Sequence, residues 1–124
     1  MLQKEMPKPK ENVCFGRHII AEVYCDNKEV LNDERRLLDA IGTAARRAGM
    51  TVISGSSHKF CPQGATAMVL LAESHVSIHT WPEHNYAALD VYTCGGNPEM
   101  VFEELKKLLP IREIKVMDID RGPE

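Results

Sequence analysis

The sequence has no long apolar run. Apolar residues make up 44% of the chain, yet no uninterrupted stretch approaches the ~20 residues that a membrane-spanning helix needs, so a soluble protein with no membrane partner is expected. Positive charge is not in excess either. A net charge of -3 and a pI near 6.0 lack the basic footprint of nucleic-acid binding. The pairs Arg35-Arg36 and Arg46-Arg47 cluster, and both sit in a segment that reads as helix, where solvated positions account for them. The first residues, Met1 to Asn12, are rich in Lys and Pro and have no apolar centre, unlike a secretory signal, so a cytoplasmic location is expected. Cys-x-x-Cys pairs are missing: Cys14, Cys25, Cys61 and Cys94 are widely and unevenly spaced, which argues against a zinc ribbon. Free thiols fit a reducing compartment.

At 124 residues the chain is large enough for one domain with a real core and too small for two. Residues 1–13 read as a mobile arm, because Pro7 and Pro9 interrupt any helix and little is there to bury; residues 14–124 form the domain. From Arg17 to Cys25, Ile19, Ala21, Val23 and Cys25 alternate with His18, Ile20, Glu22 and Tyr24, the period of a strand with one face on a core. Leu31, Leu37, Leu38, Ile41, Ala44, Ala45 and Ala48 then recur at helical steps, predicting one amphipathic helix over about 28–48. Gly49 follows where a left-handed residue often ends a helix.

Short strands are predicted next: from Thr51 toward Phe60, Ala65 to Ala72, Val76 to Trp81, and Tyr86 to Cys94. Pro62-Gln63-Gly64, Pro82 to Asn85 and Gly95-Gly96-Asn97 punctuate them. A second helix spans about Pro98 to Leu109 and stops at Pro110, and a last strand runs from Ile111 to Ile119. This order implies a two-layer α+β sandwich, a mainly antiparallel sheet with two helices on one face. The other face needs cover. Ala88, Tyr92, Val69 and Leu71 are the candidates for it, so pairing with a second copy into a homodimer is expected.

The chemistry gathers in Glu73-Ser74-His75-Val76-Ser77-Ile78-His79-Thr80-Trp81-Pro82-Glu83, followed by Tyr86 to Asp90 and by Tyr92-Thr93-Cys94-Gly95. A hydroxyl, imidazoles, carboxylates and a thiol interrupt a strand-like apolar stretch. If Trp81 and Tyr86 close a hairpin, facing residues have numbers that add to about 167. Cys94 then lies opposite Glu73, beside Ser74. The two distant segments meet in space.

Each residue also has an ordinary reading. A serine such as Ser74 is common at turns, and Cys94 alone would pass as a small buried hydrophobe. His75, His79 and His84 invite a metal, but on a strand residues 75 and 79 stand roughly 13 Å apart, too far for one ion; no metal is expected. Trp81 and Phe60 could serve the core or an interface, Glu83 could be a turn residue, and His18 and His58 read as hydrogen-bonded or exposed histidines.

Taken together, the run from Glu73 to Glu83 with the downstream Cys94 resembles the self-cleavage and active-site region of the small prokaryotic S-adenosylmethionine decarboxylase proenzymes. The likeness spans roughly Phe15 to Asp120. It implies a chain that cuts itself between Glu73 and Ser74, leaving two fragments that stay together, with Ser74 converted into a covalent pyruvoyl cofactor. Such a ketone forms a Schiff base with an amino-acid substrate and accepts electrons as carbon dioxide leaves, as pyridoxal phosphate does. It further implies Ser74 as the pyruvoyl precursor, His79 as the base or proton carrier in processing, and Cys94 as the proton donor in decarboxylation. Thr66 stands where these proteins usually have a processing serine, keeping the hydroxyl but adding a methyl group. Phe60, Trp81 and Glu83 match positions near the substrate, where aromatic faces could meet adenine or a sulfonium and a carboxylate could bind ribose hydroxyls. The family's small members are two-layer sandwiches that dimerise with active sites near the interface.

Two stretches depart from the family's pattern. His84-Asn85 replaces Tyr-Gly, and Gly55-Ser56-Ser57 replaces an aromatic-containing approach to His58. Both could reshape a pocket without affecting cleavage. The expected function is decarboxylation of S-adenosylmethionine for polyamine and spermidine synthesis. The alternatives are arginine or ornithine decarboxylation on the same fold and cofactor, and, from another class, a non-catalytic binding or regulatory module.

Overall fold

The computed structural model describes residues 15–123; the expected mobile arm over 1–13 and Cys14 lie outside the described residues. Six strands and three α-helices follow in the order β1 (Gly16–Tyr24), α1 (Lys28–Leu31), α2 (Glu34–Arg47), β2 (Val52–Lys59), β3 (Ala65–Leu71), β4 (Ser74–Trp81), β5 (Tyr86–Thr93), α3 (Pro98–Leu108) and β6 (Glu113–Arg121), with a 3₁₀ turn at Pro82–His84 between β4 and β5. This is the α+β architecture expected. The strands form one antiparallel sheet in the order β2-β3-β4-β5-β1-β6. β2 to β5 make a meander, and β1 inserts between β5 and β6.

The single helix expected over 28–48 is two. Asn27 caps α1 by accepting from the Val30 N–H at 3.1 Å, and Asp33 caps α2 by accepting from the Arg36 N–H at 3.1 Å. A side chain that bonds locally to the backbone starts a helix rather than continuing one. Asn32, at the break, accepts from the Gly64 N–H at 2.8 Å and ties the β2–β3 loop to it. α2 ends as anticipated, with Gly49 at a φ of 84°.

One sheet face packs on α2 and α3. Leu37, Ile41, Ala44 and Ala45 of α2 and Val101 and Leu105 of α3 are fully buried against Ala21, Val76, Leu89 and Val91. Each large aliphatic side chain so buried contributes about 1.5–3 kcal/mol. Among the residues proposed for the uncovered face, Ala88 and Tyr92 do lie there, since they pair with Glu22 and His18. Val69 and Leu71 do not. They are buried at 2% and 3% exposure on the helix side, and their alternates Met68 and Leu70 are the exposed ones, at 43% and 50%. An apolar run on a strand buried on one side gives no parity signal of its own, which is why that assignment came out one residue off. No helix among the described residues is long and apolar enough to cross a membrane.

Candidate active site

The hairpin of β4 and β5 holds the anticipated register. Trp81 faces Tyr86 and Ser74 faces Thr93, so all pairs keep the sum of 167. One step further, the Cys94 N–H donates to the Glu73 carbonyl oxygen at 3.0 Å. The junction Glu73–Ser74, the thiol-bearing Cys94 and the end of β3 therefore share one end of the sheet. β4 begins at Ser74, two residues earlier than its hydrophobic pattern suggests.

Ser74 has a φ of 152°, a region in which side-chain-bearing residues cost of order 1–3 kcal/mol. The residue before it is held from several sides. The Glu73 carboxylate accepts from the Thr51 N–H at 3.0 Å and from the Thr51 hydroxyl at 3.4 Å. The Thr51 carbonyl in turn accepts from the Ala72 N–H at 2.9 Å. Gly95 passes so close that a Cβ there would sit 3.3 Å from the Glu73 Cγ. Nothing in the sequence pointed to Thr51, which precedes an exposed edge strand and lies 22 positions before its partner. Cys94 is exposed, and Ser74 is half-buried.

A second cluster lies toward the opposite end of β4. Thr66 pairs with His79, and their Oγ1 and Nδ1 atoms stand 2.9 Å apart. His58 pairs with Thr66 from the other side and meets Phe60 edge-on, with ring centroids 4.7 Å apart. Trp81 leans on Tyr86 at 5.6 Å. The Tyr86 hydroxyl donates to Glu22, which with burial pushes its pKa up to about 12. Phe60 and Trp81 are roughly half exposed, and Glu83 is exposed in the 3₁₀ turn. The structure thus groups Glu73, Ser74 and Cys94 at one end and Thr66, His79, Phe60, Trp81 and Glu83 toward the other.

Asn85 explains one departure from the family's pattern. It sits at a φ of 54° directly after the 3₁₀ turn, and Lys28 Nζ donates to its Oδ1 at 2.8 Å. Asparagine is among the few side chains that tolerate this left-handed conformation, so it serves the turn that a glycine would serve. Between the clusters, on the uncovered face, His18 and His75 flank Tyr92, and His18 Nε2 stands 3.7 Å from Asp90.

The α+β sheet thus carries a strained serine at a strand end, with a hydrogen-bonded carbonyl just before it and a free, exposed cysteine on the neighbouring strand's end. The comparisons with known proteins give the family. The model of the S-adenosylmethionine decarboxylase family matches residues 17–122. Proteins named S-adenosylmethionine decarboxylase proenzyme from Thermotoga petrophila and Methanococcus vannielii are 41% and 44% identical over 110 residues, 87% of this chain and 85% and 90% of theirs. The crystal structure of the adenosylmethionine decarboxylase from Aquifex aeolicus superposes with a TM-score of 0.80 at 35% identity, covering 90% of this chain and 93% of that one. The chain belongs to the S-adenosylmethionine decarboxylase family, and is an enzyme.

Proposed function

We propose that the protein is an autoprocessing, pyruvoyl-dependent carboxy-lyase that removes carbon dioxide from S-adenosylmethionine to make the aminopropyl donor of polyamine synthesis. The observation that carries this reading is the Glu73–Ser74 junction, with its strained serine and its carbonyl bonded to the Cys94 N–H. The names of the relatives favour S-adenosylmethionine as substrate over arginine or ornithine, and the word proenzyme in those names fits a chain that matures by cleavage.

The residues present suit a pyruvoyl group at position 74. Ser74 heads β4 with a hydroxyl next to a fixed carbonyl, and a thiol is exposed beside it. The group would supply a carbonyl that takes the substrate amine and withdraws electrons as carbon dioxide leaves. In processing, the Cys94 N–H steadies the negative charge that develops on the Glu73 oxygen when a hydroxyl adds to that carbonyl. In turnover, Cys94 stands where a thiol returns a proton to the substrate carbon.

His79 cannot serve Ser74 within the same chain. Five residues of extended strand separate them, about 16 Å, well beyond the reach of one proton transfer. Two copies stacked by their uncovered faces about a two-fold axis would bring the Ser74 end of one against the Thr66–His79 end of the other. The homodimer would then hold two complete sites, each with Phe60, Trp81 and Glu83 supplied near the substrate from the far end of the sheet. Exposed Met68 and Leu70 on that face support such pairing.

Intact mass spectrometry of the wild-type protein and Ser74→Ala tests the reading. Two wild-type fragments meeting at Glu73–Ser74, the second bearing a pyruvoyl mass, with an uncut variant, are expected. A wild-type chain that stays whole under all activating conditions would defeat it. Carbon dioxide release from S-adenosylmethionine, and not from arginine or ornithine, then fixes the substrate.

A further inference from the structure

We infer that Thr51 and Glu73 form a positioning clamp for self-cleavage, an inference that rests on the self-cleaving reading of the Glu73–Ser74 junction. A glutamate in the two-residue turn between β3 and β4 has every reason to point its carboxylate into water. Glu73 instead turns it onto Thr51, taking the main-chain N–H at 3.0 Å and the hydroxyl at 3.4 Å. The same threonine holds Ala72 through its carbonyl at 2.9 Å. Both residues of the turn are thus tied to one point on the chain entering β2.

The other side of Glu73 is fixed as well. Its carbonyl accepts from the Cys94 N–H at 3.0 Å, and Gly95 packs against its Cγ where a methyl group would approach to 3.3 Å. Side chain, stem and carbonyl are held by β2's entry and by the end of β5. Ser74 follows at a φ of 152°, and such a conformation persists only where its surroundings over-determine it. The clamp supplies that determination.

The step it serves is the first. A bond forms between the Ser74 Oγ and the Glu73 carbonyl carbon, the carbon–nitrogen bond of the Glu73–Ser74 peptide breaks, and the hydroxyl proton ends on the Ser74 nitrogen, so an amide becomes an ester. Attack demands a carbonyl held at near-contact distance and fixed angle. Thr51 touches neither reacting atom; it acts through Glu73.

The test follows self-cleavage of purified full-length precursor, with hydroxylamine used to split any ester. Glu73→Ala should cleave at least about tenfold more slowly, with the uncut chain resistant to hydroxylamine because the amide has not shifted. Glu73→Gln keeps an oxygen to accept from the Thr51 N–H and should stay within about threefold of wild type. Gly95→Ala, which leaves both clamp residues in place but crowds the Cγ, should reproduce the Glu73→Ala defect. Thermal midpoints close to wild type in all three would place the effect on positioning rather than folding. Wild-type cleavage rates in Glu73→Ala, or equal slowing in Glu73→Ala and Glu73→Gln, would overturn the clamp. A wild-type chain that never cleaves would instead overturn the self-cleaving reading itself.

Discussion

Thr66 Oγ1 lies 2.9 Å from His79 Nδ1 across the β3–β4 ladder. The hydroxyl can donate to or accept from that nitrogen, so the contact orients the ring of an exposed histidine in either tautomer. The methyl group that distinguishes threonine from serine has not pushed the hydroxyl off the ring. Thr66→Ser should then leave the cleavage rate within about twofold, while Thr66→Val, losing one hydrogen bond, should slow it by about fivefold. A time course of fragment appearance on a denaturing gel checks both.

The separation of Ser74 from His79 along β4 makes a prediction about mixing. On the proposed roles, Ser74→Ala would lack the nucleophile and His79→Ala the base, so neither should cleave alone. Unfolded and refolded together, they should form mixed dimers in which the His79→Ala chain is cut, using His79 of the partner subunit. Isotope labelling of one variant identifies the cut chain by mass. No cleavage in the mixture would count against a site shared between two chains.

Cys94 carries two different groups, an N–H that donates to the Glu73 carbonyl and an exposed thiol. Cys94→Ala removes only the second. Fragments should still form, and decarboxylation by the processed protein should fall by about a hundredfold or more, the usual loss when a general acid is removed. Comparing fragment yield with carbon dioxide release on the same sample separates the two contributions.

Acid should loosen the helical layer first. Glu104 of α3 is buried at 8% exposure and meets Arg47 of α2 at 3.1 Å and Lys107 at 3.2 Å. Arg47, then Lys107, hold its carboxyl below the ordinary value of 4.5. A carboxylate with a lowered folded-state pKa adds stability above its unfolded pKa and loses it as pH falls through the folded one. Thermal midpoints should therefore drop below about pH 4.5, and Glu104→Gln should show a shallower dependence in the same range.

How far the sequence reached is plain at the β4–β5 hairpin. A tight turn between Trp81 and Tyr86 was enough to place Cys94 against Glu73, because an antiparallel register has no freedom once its turn is known. Legibility failed where two signals competed. The apolar residues from Leu37 to Ala48 keep a helical period, while the six-residue step from Leu31 to Leu37 departs from it at Asn32-Asp33, where Asp33 caps α2. Val69 and Leu71 were set on the wrong face because Met68 and Leu70 are equally apolar. Thr51 was invisible for a different reason: a contact between a strand entry and a turn on another strand follows from tertiary structure alone. Ser74 and His79 share one sequence run, yet on an extended strand they stand about 16 Å apart.

The insertion of β1 between β5 and β6 has a bearing on what maturation does to the protein's folding. A cut after Glu73 would assign β1, β2 and β3 to one polypeptide and β4, β5 and β6 to the other, and the sheet order interleaves them, so three strand-to-strand seams, β3 with β4, β5 with β1 and β1 with β6, would bind two separate molecules. Neither piece could leave without dismantling the sheet. Before the cut, refolding is the unimolecular search of a single chain; after it, the same fold becomes a second-order encounter between two open-edged fragments that aggregate more readily than they meet. The mature protein would be an heirloom of its precursor, able to persist but poorly able to form again.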